Sequence, residues 1–202
     1  MRCSECGFHY CEDIPENVAR HDAYHDKVVR GLCAPRLDEE DLVWESGPDR
    51  VTLVTKASPI VEQEVAGEVA KLTTLDTRYS PPFAPGGPPD DTRVQVFLYH
   101  VANRIVGFLM IQERGAIWRA TWQSLGMPPI LEEIKTASPM WSVGLLWVHR
   151  GFRNKGVARC LVSQAIRRLN VSLADLGWQT EFSKDGETFV RSLYPVSFFI
   201  AK

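Results

Sequence analysis

Hydrophobic and polar positions change their spacing several times along the chain, and these changes predict the first elements of the fold. Apolar residues flank a Ser-Gly-Pro-Asp turn within residues 43–55, a pattern typical of a β-hairpin. From Pro59 to Leu72 they recur at helical spacing, which predicts an amphipathic helix. Two β-rich runs, residues 93–101 and 104–113, lie on either side of a two-residue turn and predict an antiparallel hairpin.

In the second half of the chain, segments with helical spacing of apolar residues alternate with β-rich segments. A segment rich in Pro and Gly, residues 79–92, predicts a loop, and residues 117–140 show no clear period. Beyond them the pattern predicts, in order, a buried strand at 141–148, a helix from Gly156, a short strand at 180–183, a turn at Asp185–Gly186, a short helix at 187–194 and a final strand at 196–201. This order is typical of a mixed α/β (α+β) domain with one core.

The composition fits a soluble globular protein and excludes several classes. The chain has 202 residues, of which 45% are hydrophobic and 24% charged, and its net charge is −2. This length suits one medium domain with a small appendage. The sequence contains no run of about 18 apolar residues, the length needed to span a membrane. The polar start, MRCSEC, does not fit a signal peptide, so we expect a cytoplasmic protein. The lack of a basic excess argues against nucleic acid as a partner.

Cysteine and histidine cluster near the N-terminus with the spacing of a metal site. Cys3 and Cys6 have two residues between them, and after fourteen more residues His21 and His25 follow with three between them. Two thiolates and two imidazoles one helical turn apart can close a tetrahedron around one Zn²⁺. Pro15 suits the start of a helix that places both histidines on one face. We therefore predict a structural zinc site with these four ligands, of the C2H2 zinc-finger type.

The zinc-finger module is expected to span residues 1–32, with residues 33–202 forming the main domain. A piece of about thirty residues buries too little apolar surface to fold alone, so metal binding must stabilise it. His9 and Cys11 are predicted to be bystanders. The helix carries two aspartates among its basic residues, which makes a poor surface for phosphates. We therefore favour a structural or protein-docking role for the finger over DNA recognition.

A basic loop containing glycine follows the strand predicted at residues 141–148. Arg153 to Ala158 have the form R-x-x-G-x-A. Where a loop enters a helix, unpaired backbone N–H groups and the helix dipole together attract an anion. Glycine lets a phosphate approach the backbone, and arginine and lysine add charge. Neither a Walker loop nor a dinucleotide fingerprint is present. A solvated loop is the alternative, but the position between a buried strand and an amphipathic helix favours a phosphate site.

This strand, loop and helix resemble the acetyl-CoA site of the GNAT acetyltransferase superfamily. In that superfamily an R/Q-x-x-G-x-G/A loop holds the coenzyme A pyrophosphate, and the preceding strand pairs with the pantetheine arm. The resemblance implies a GNAT fold and acetyl-CoA as cosubstrate. It implies that the cofactor is bound by Leu146, Trp147, Val148, Arg153, Asn154, Lys155, Gly156, Val157 and Ala158.

A single C2H2 finger joined to such a domain is similar to the cohesin acetyltransferases, which modify lysines on a chromosome-cohesion subunit. Segments that look like that family's landmarks occur in the same order: WESG followed by RVTLV, FLYHVANRIVGFLMIQE, LLWVHRGFRNKGVARCLV and EFSKDGETF. Arginine outnumbers lysine by about two to one, which favours a bacterial relative. The chain departs from the family at Gly144–Leu145, where the family has a Ser-Arg pair, at Trp178–Gln179, where it has acidic residues, and at Ser183–Gly186, where its loop is longer.

Acyl transfer from a thioester to an amine requires a polarised carbonyl, a neutral amine and a proton acceptor. A backbone N–H near Leu146–Val148 would polarise the carbonyl. Because a lysine has a pKa of about 10.4, a carboxylate must accept its proton directly or through water. Glu181 and Asp185 are the candidates for this base, and Tyr194 is the candidate acid for the leaving thiolate. His149 is expected at the phosphate rim.

Three functions from different classes fit these observations. The first is a protein-lysine acetyltransferase that uses the finger to dock its target. The second is a small-molecule N-acetyltransferase acting on an aminoglycoside- or polyamine-like acceptor, with an acceptor pocket built from residues 79–92, Trp118 and Trp122. The third is a non-catalytic module that binds acetyl-CoA, and turnover with any amine would exclude it.

Overall fold

The computed structural model describes residues 1–77, 93–115, 117–123, 132–134 and 139–201. Within them the helices are α1 (Pro15–Arg30), α2 (Ile60–Thr77), α3 (Val157–Leu169) and α4 (Lys184–Leu193), with short 3₁₀ turns at Arg150–Phe152 and Leu173–Asp175. The strands are β1 (Leu32–Cys33), β2 (Asp41–Ser46), β3 (Asp49–Val54), β4 (Val94–Val101), β5 (Arg104–Arg114), β6 (Ile117–Thr121), β7 (Glu132–Ile134), β8 (Met140–Val148), β9 (Gly177–Gln179) and β10 (Ser197–Ala201). The loop predicted at residues 79–92 lies outside the described residues. None of the described helices has the length and apolar character needed to cross a membrane.

The strands form one mixed sheet with the order β2-β3-β4-β5-β8-β9-β10-β6-β7, and β1 pairs with β5. Both predicted hairpins are confirmed, because β2 pairs antiparallel with β3 and β4 pairs antiparallel with β5. The helix after Pro59 and the final strand are confirmed as well. β9 is parallel to β8 and to β10, so the C-terminal third of the chain adds a parallel unit to an antiparallel meander.

β8 and β9 diverge soon after they begin to pair. Ser142 lies opposite Gly177 and Val143 lies opposite Trp178, where the described pairing ends. On its other edge β8 pairs with β5 along its whole length, with a shift in register that makes Gly144 an extra residue. Such a β-bulge bends a strand and increases its twist. The end of β8 is therefore left with an edge that no described strand covers.

Helices cover both faces of the sheet and bury two apolar layers. α3 and α4 pack on one face, and α2 packs on the other. Gly107 in β5 lets α3 approach closely, because a Cβ atom there would lie 2.8 Å from Val157 Cγ1 and 2.9 Å from Tyr99 Cβ. Val157 is the first residue of α3, so this contact fixes the start of that helix against the sheet.

Two predictions near the C-terminus are wrong. The strand predicted at residues 180–183 lies three positions earlier, as β9, because Glu181 has a φ of +86° and cannot continue an extended strand. Asp185 and Gly186 do not form a separate turn but belong to the first turn of α4. Ser183 caps that helix, since its hydroxyl accepts a hydrogen bond from the Gly186 N–H at 3.1 Å.

Candidate functional site

A cleft of about 640 Å³ opens where β8 and β9 diverge. Its walls are the end of β8, the loop that follows, the start of α3 and the first turns of α4. The residues predicted to bind the cofactor that line it are Leu146, Trp147, Val148, Arg153, Asn154, Gly156, Val157 and Ala158. Lys155 does not line the cleft, and its Nζ lies 5.0 Å from the centroid of the Phe152 ring.

The free edge of β8 presents backbone groups to this cleft. The His149 N–H donates to the Val106 carbonyl of β5 at 2.8 Å. Hydrogen-bonding groups alternate between the two edges of a strand, so Leu146 and Val148 direct theirs away from β5. The Val148 carbonyl accordingly accepts a hydrogen bond from Arg153 Nε at 3.2 Å. An extended ligand could therefore pair with the strand at this edge.

The start of α3 forms the other polar wall of the cleft. Gly156 precedes the helix with a φ of +85°, a conformation that favours glycine. The first intrahelical hydrogen bond runs from the Cys160 N–H to the Gly156 carbonyl, so the three preceding N–H groups have no acceptor inside the helix. A Cβ atom on Gly156 would meet nothing within 4 Å. An anion can therefore reach these N–H groups directly.

Arg153 spans the cleft between two carboxylates. Its Nη2 lies 3.1 Å from Asp76 Oδ2 at the end of α2, and its Nη1 lies 3.5 Å from Asp185 Oδ2 on α4. Asp76 also accepts a hydrogen bond from Trp147 Nε1 at 2.9 Å. No sequence pattern pointed to Asp76, because only the packing of α2 on the sheet brings it next to Arg153, 77 residues away.

The three candidate catalytic residues occupy different environments. Asp185 lines the cleft. Glu181 is exposed in the segment between β9 and α4, and it is not among the residues described as lining the cleft. Tyr194 is buried, and its hydroxyl donates to the Leu173 carbonyl at 2.6 Å. Burial raises the pKa of Tyr194 to about 12.

A polar cluster that the sequence did not predict surrounds the bulge at Gly144. With its amide oriented to suit its neighbours, Gln179 donates to the Gly144 carbonyl at 3.0 Å and accepts from Arg114 Nη2 at 3.0 Å. The Gln112 amide, oriented in the same way, accepts from Arg114 Nη2 at 2.6 Å. Gln179 stands where the resemblance would place an acid, so the bulge is held by a neutral amide. The cluster joins two side chains of β5, Gln112 and Arg114, to Gln179 of β9.

Two aromatic residues considered for an acceptor pocket pack against the core. Trp122 Nε1 donates to the Tyr194 carbonyl at 2.7 Å, and the Trp122 ring stacks on Phe198 at 4.4 Å between centroids. Trp118 also packs against the core layer under α3 and α4. The remaining part of that predicted pocket, residues 79–92, lies outside the described residues.

The prediction that His149 lies at the rim of the phosphate site is wrong. Its side chain is buried, and its Nε2 lies 2.9 Å from the Val28 carbonyl of α1. Its Nδ1 accepts a hydrogen bond from the Gly151 N–H at 3.2 Å. Because β8 ends beside α1, the imidazole is directed toward residues 1–32, called the N-terminal module below, and away from the cleft.

The four predicted zinc ligands come together in the N-terminal module. One candidate ligand atom from each of Cys3, Cys6, His21 and His25 lies within 4.8 Å of the others. α1 begins at Pro15, as predicted, and carries both histidines one turn apart. His9 and Cys11 are exposed and are not part of the cluster found among the described residues.

The chemistry of the cluster fits a metal ion. His21 Nε2 is buried without a described hydrogen-bond partner, although a buried imidazole nitrogen normally has one. Its other nitrogen, Nδ1, lies 3.2 Å from Asp22 Oδ1, an arrangement typical of metal-binding histidines. The Cys6 backbone and the His21 ring lower the pKa of the Cys3 thiol to about 6, which favours the thiolate that a metal requires.

Comparison with known proteins finds structural but not sequence relatives. No family model matches the sequence, and no curated protein does. The solved acetyltransferase domain of xEco2 bound to a K105–CoA conjugate has a TM-score of 0.65 and 15% identity, covering 82% of this chain and 98% of that one. A second structure of the xEco2 acetyltransferase domain has a TM-score of 0.61 and 16% identity, covering 83% and 98%.

More distant structures include an aminoglycoside acetyltransferase, meta-AAC0020, from an uncultured soil metagenomic sample in complex with sisomicin. It matches with a TM-score of 0.47 and 15% identity over 73% of this chain and 88% of that one. The two xEco2 structures carry the conclusion about architecture, because both TM-scores exceed 0.6 with nearly complete coverage of the xEco2 domain. The protein therefore has the fold of a GNAT acetyltransferase domain.

Proposed function

We propose that the protein is an N-acetyltransferase that moves the acetyl group of acetyl-CoA to an amine, most specifically to a protein lysine. The observation that carries this proposal is the cleft between β8 and β9, which combines a free strand edge with an open helix N-terminus. The strand edge suits the amides of a pantetheine arm, and the helix N-terminus suits a pyrophosphate. The K105–CoA conjugate bound to the xEco2 domain joins coenzyme A to a lysine and supports this acceptor.

In the proposed reaction the neutral amine nitrogen attacks the carbonyl carbon of the thioester. A backbone N–H at Leu146 or Val148 stabilises the negative charge that develops on the carbonyl oxygen. The bond from carbon to sulfur then breaks, and the thiolate of coenzyme A leaves. The amine loses its proton to a carboxylate, directly or through water, and the thiolate takes up a proton from an acid or from solvent. No group beyond acetyl-CoA and the amine is needed for this balance.

We further propose that residues 1–32 bind one structural Zn²⁺ through Cys3, Cys6, His21 and His25, and that residues 33–202 form the acetyltransferase domain. With four protein ligands the metal has no open position, so when bound it supplies a cross-link between the N-terminal turn and α1 and no chemistry at the thioester. The proposal is supported by the four side chains, each of which offers one ligand atom within 4.8 Å of the other three. His21 and His25 would bind as neutral imidazoles and the cysteines as thiolates.

The proposed function is tested by incubating the purified protein with acetyl-CoA and three classes of amine: a lysine-rich peptide, a polyamine and an aminoglycoside. We expect release of the coenzyme A thiol to depend on the peptide, together with a gain of one acetyl group measured by mass spectrometry. Turnover only with the polyamine or aminoglycoside would replace the protein acceptor with a small molecule. Binding of acetyl-CoA without turnover on any amine would contradict the enzyme proposal.

The carboxylate base is expected to be Glu181 or Asp185. If one of them accepts the proton, Glu181→Gln or Asp185→Asn should lower kcat by about a hundredfold or more, the usual scale for a lost general base. Cofactor affinity separates this role from a role in binding. Since Asp185 contacts Arg153 in the cleft, a purely structural role for it would change the Kd of acetyl-CoA and leave kcat nearly unchanged.

Glu187→Gln is the matched control for these variants. Glu187 lies on the same helix as Asp185 but pairs with Arg191, and it does not line the described cleft. We expect this variant to keep kcat within about twofold of the wild type. Near-normal kcat in both Glu181→Gln and Asp185→Asn would show that the base lies elsewhere or that the amine loses its proton to solvent.

A further inference from the structure

The end of β8 is in contact with the N-terminal module through His149. His149 is 3% exposed, and its imidazole lies between α1 and the loop that follows β8. Because its Nδ1 accepts the Gly151 N–H, its hydrogen is assigned to Nε2, which then donates to the Val28 carbonyl in the last turns of α1. One side chain therefore joins the helix that carries two predicted zinc ligands to the backbone of the loop that follows β8.

The next residue makes a second link to the same module. Arg150 Nη2 donates to the Glu5 carbonyl at 2.9 Å. Glu5 lies between Cys3 and Cys6, in the short turn that supplies two of the predicted zinc ligands. This turn contains little apolar surface and would lose its conformation without a metal. The link from Arg150 therefore ends on backbone whose position depends on metal binding.

Only a short rigid connection separates these contacts from the proposed phosphate loop. His149 and Phe152 are joined by a hydrogen bond from the Phe152 N–H to the His149 carbonyl at 2.8 Å, and their rings meet edge to face at 5.9 Å between centroids. Arg153 follows directly and bonds back to the Val148 carbonyl. A shift of residues 149–152 would therefore move Arg153 and the approach to Gly156.

We propose that the zinc module positions the coenzyme A loop through His149 and Arg150, so that zinc binding and acetyl-CoA binding strengthen each other. This inference rests on the proposed function, since it takes the cleft as the site of acetyl-CoA. His149 and Arg150 are positioning residues, because neither lines the cleft among the described residues. By thermodynamic linkage, the factor by which zinc raises the affinity for acetyl-CoA equals the factor by which acetyl-CoA raises the affinity for zinc.

The test measures zinc affinity by competition with a chromophoric chelator, with and without saturating acetyl-CoA. Acetyl-CoA is the suitable probe because its sulfur is a thioester and does not compete as a thiolate for zinc. For the wild type we expect acetyl-CoA to tighten zinc binding by about fivefold or more, the lower end of typical couplings between sites. In His149→Gln and in Arg150→Ala we expect that factor to fall toward one while both ligands still bind.

The coupling factor is the ratio of the zinc affinities measured with and without acetyl-CoA. It therefore separates coupling between the sites from a general loss of stability or charge. Arg150→Ala removes a positive charge near the cleft, but this changes acetyl-CoA affinity with and without zinc alike and cancels in the factor. Arg150 is exposed, so this variant is expected to fold even if the buried change at His149 does not. Hydrogen exchange at residues 149–156 gives a second measure. We expect zinc removal to speed this exchange in the wild type and to leave it nearly unchanged in both variants, because their loop is already uncoupled from the zinc module.

Arg104→Gln is the matched control. Arg104 joins β5 to the same module through Asp26 and the Gly31 carbonyl but has no contact with the loop after β8 among the described residues. We expect this variant to keep the coupling. A factor near one in the wild type, or an undiminished factor in His149→Gln and Arg150→Ala, would overturn the inference. Failure of the wild type to bind acetyl-CoA at all would instead overturn the proposed function.

Discussion

Gly156→Asp should remove most of the affinity for acetyl-CoA while leaving the protein folded. The new carboxylate would stand in front of the first N–H groups of α3, where we place the pyrophosphate. Repulsion between two unit charges at about 4 Å amounts to about 4 kcal/mol at an effective dielectric constant of 20. This corresponds to a loss of affinity of about a thousandfold, measurable by calorimetry.

Gly156→Asn separates charge from backbone strain in this experiment. Asn and Asp have nearly the same shape, and both tolerate the left-handed conformation better than other side chains do. Because the space around a Cβ atom at this position is open, the neutral variant should bind acetyl-CoA far better than the charged one. Unchanged binding by a folded Gly156→Asp protein would refute the assignment of the phosphate site.

Removal of two ligands, by Cys3→Ser with His25→Ala, should abolish zinc binding and unfold the N-terminal module. Structural zinc contributes about 10–16 kcal/mol of apparent binding free energy in isolated finger peptides, which the few apolar contacts of such a module cannot replace. Metal analysis of the purified protein should give one zinc per chain for the wild type and none for the variant. The N-terminal turn and α1 should then become accessible to protease.

The matched control for the metal site uses the two residues that the cluster leaves out. His9→Ala with Cys11→Ser also removes one histidine and one cysteine from the module, but both residues are exposed and outside the described cluster. This variant should retain one zinc. One zinc retained by Cys3→Ser with His25→Ala would contradict the proposed ligand set.

Local patterns were sufficient for the elements whose residues repeat with a clear period. The hairpins, α2 and β8 followed from the spacing of apolar residues, because burial of one face imposes that spacing on the sequence. The four residues Cys3, Cys6, His21 and His25 could be grouped without a structure, since a tetrahedral ion restricts both residue type and separation. The pattern failed at residues 180–183, where a positive φ at Glu181 ends β9.

The residues that form the cleft were harder to predict from the sequence, because they come from distant segments of the chain. The R-x-x-G-x-A pattern indicated an anion site, since it depends only on one loop and the helix that follows it. Asp76, on the other hand, belongs to α2, and its contact with Arg153 exists only because α2 packs on the face of the sheet beside the end of β8. Gln112, Arg114 and Gln179 likewise meet only when β5 and β9 flank β8.

The sequence by itself determined most of the local elements, the grouping of Cys3, Cys6, His21 and His25, and the position of the glycine-containing loop before α3, because each follows a local pattern of residue type and spacing. Tertiary structure alone decided where β8 and β9 part and which carboxylates face Arg153, because strand order and helix packing bring together residues that are far apart in sequence. It also decided the role of His149. A histidine beside basic residues suggested a phosphate contact, but the docking of α1 against the end of β8 buries its imidazole on the Val28 carbonyl.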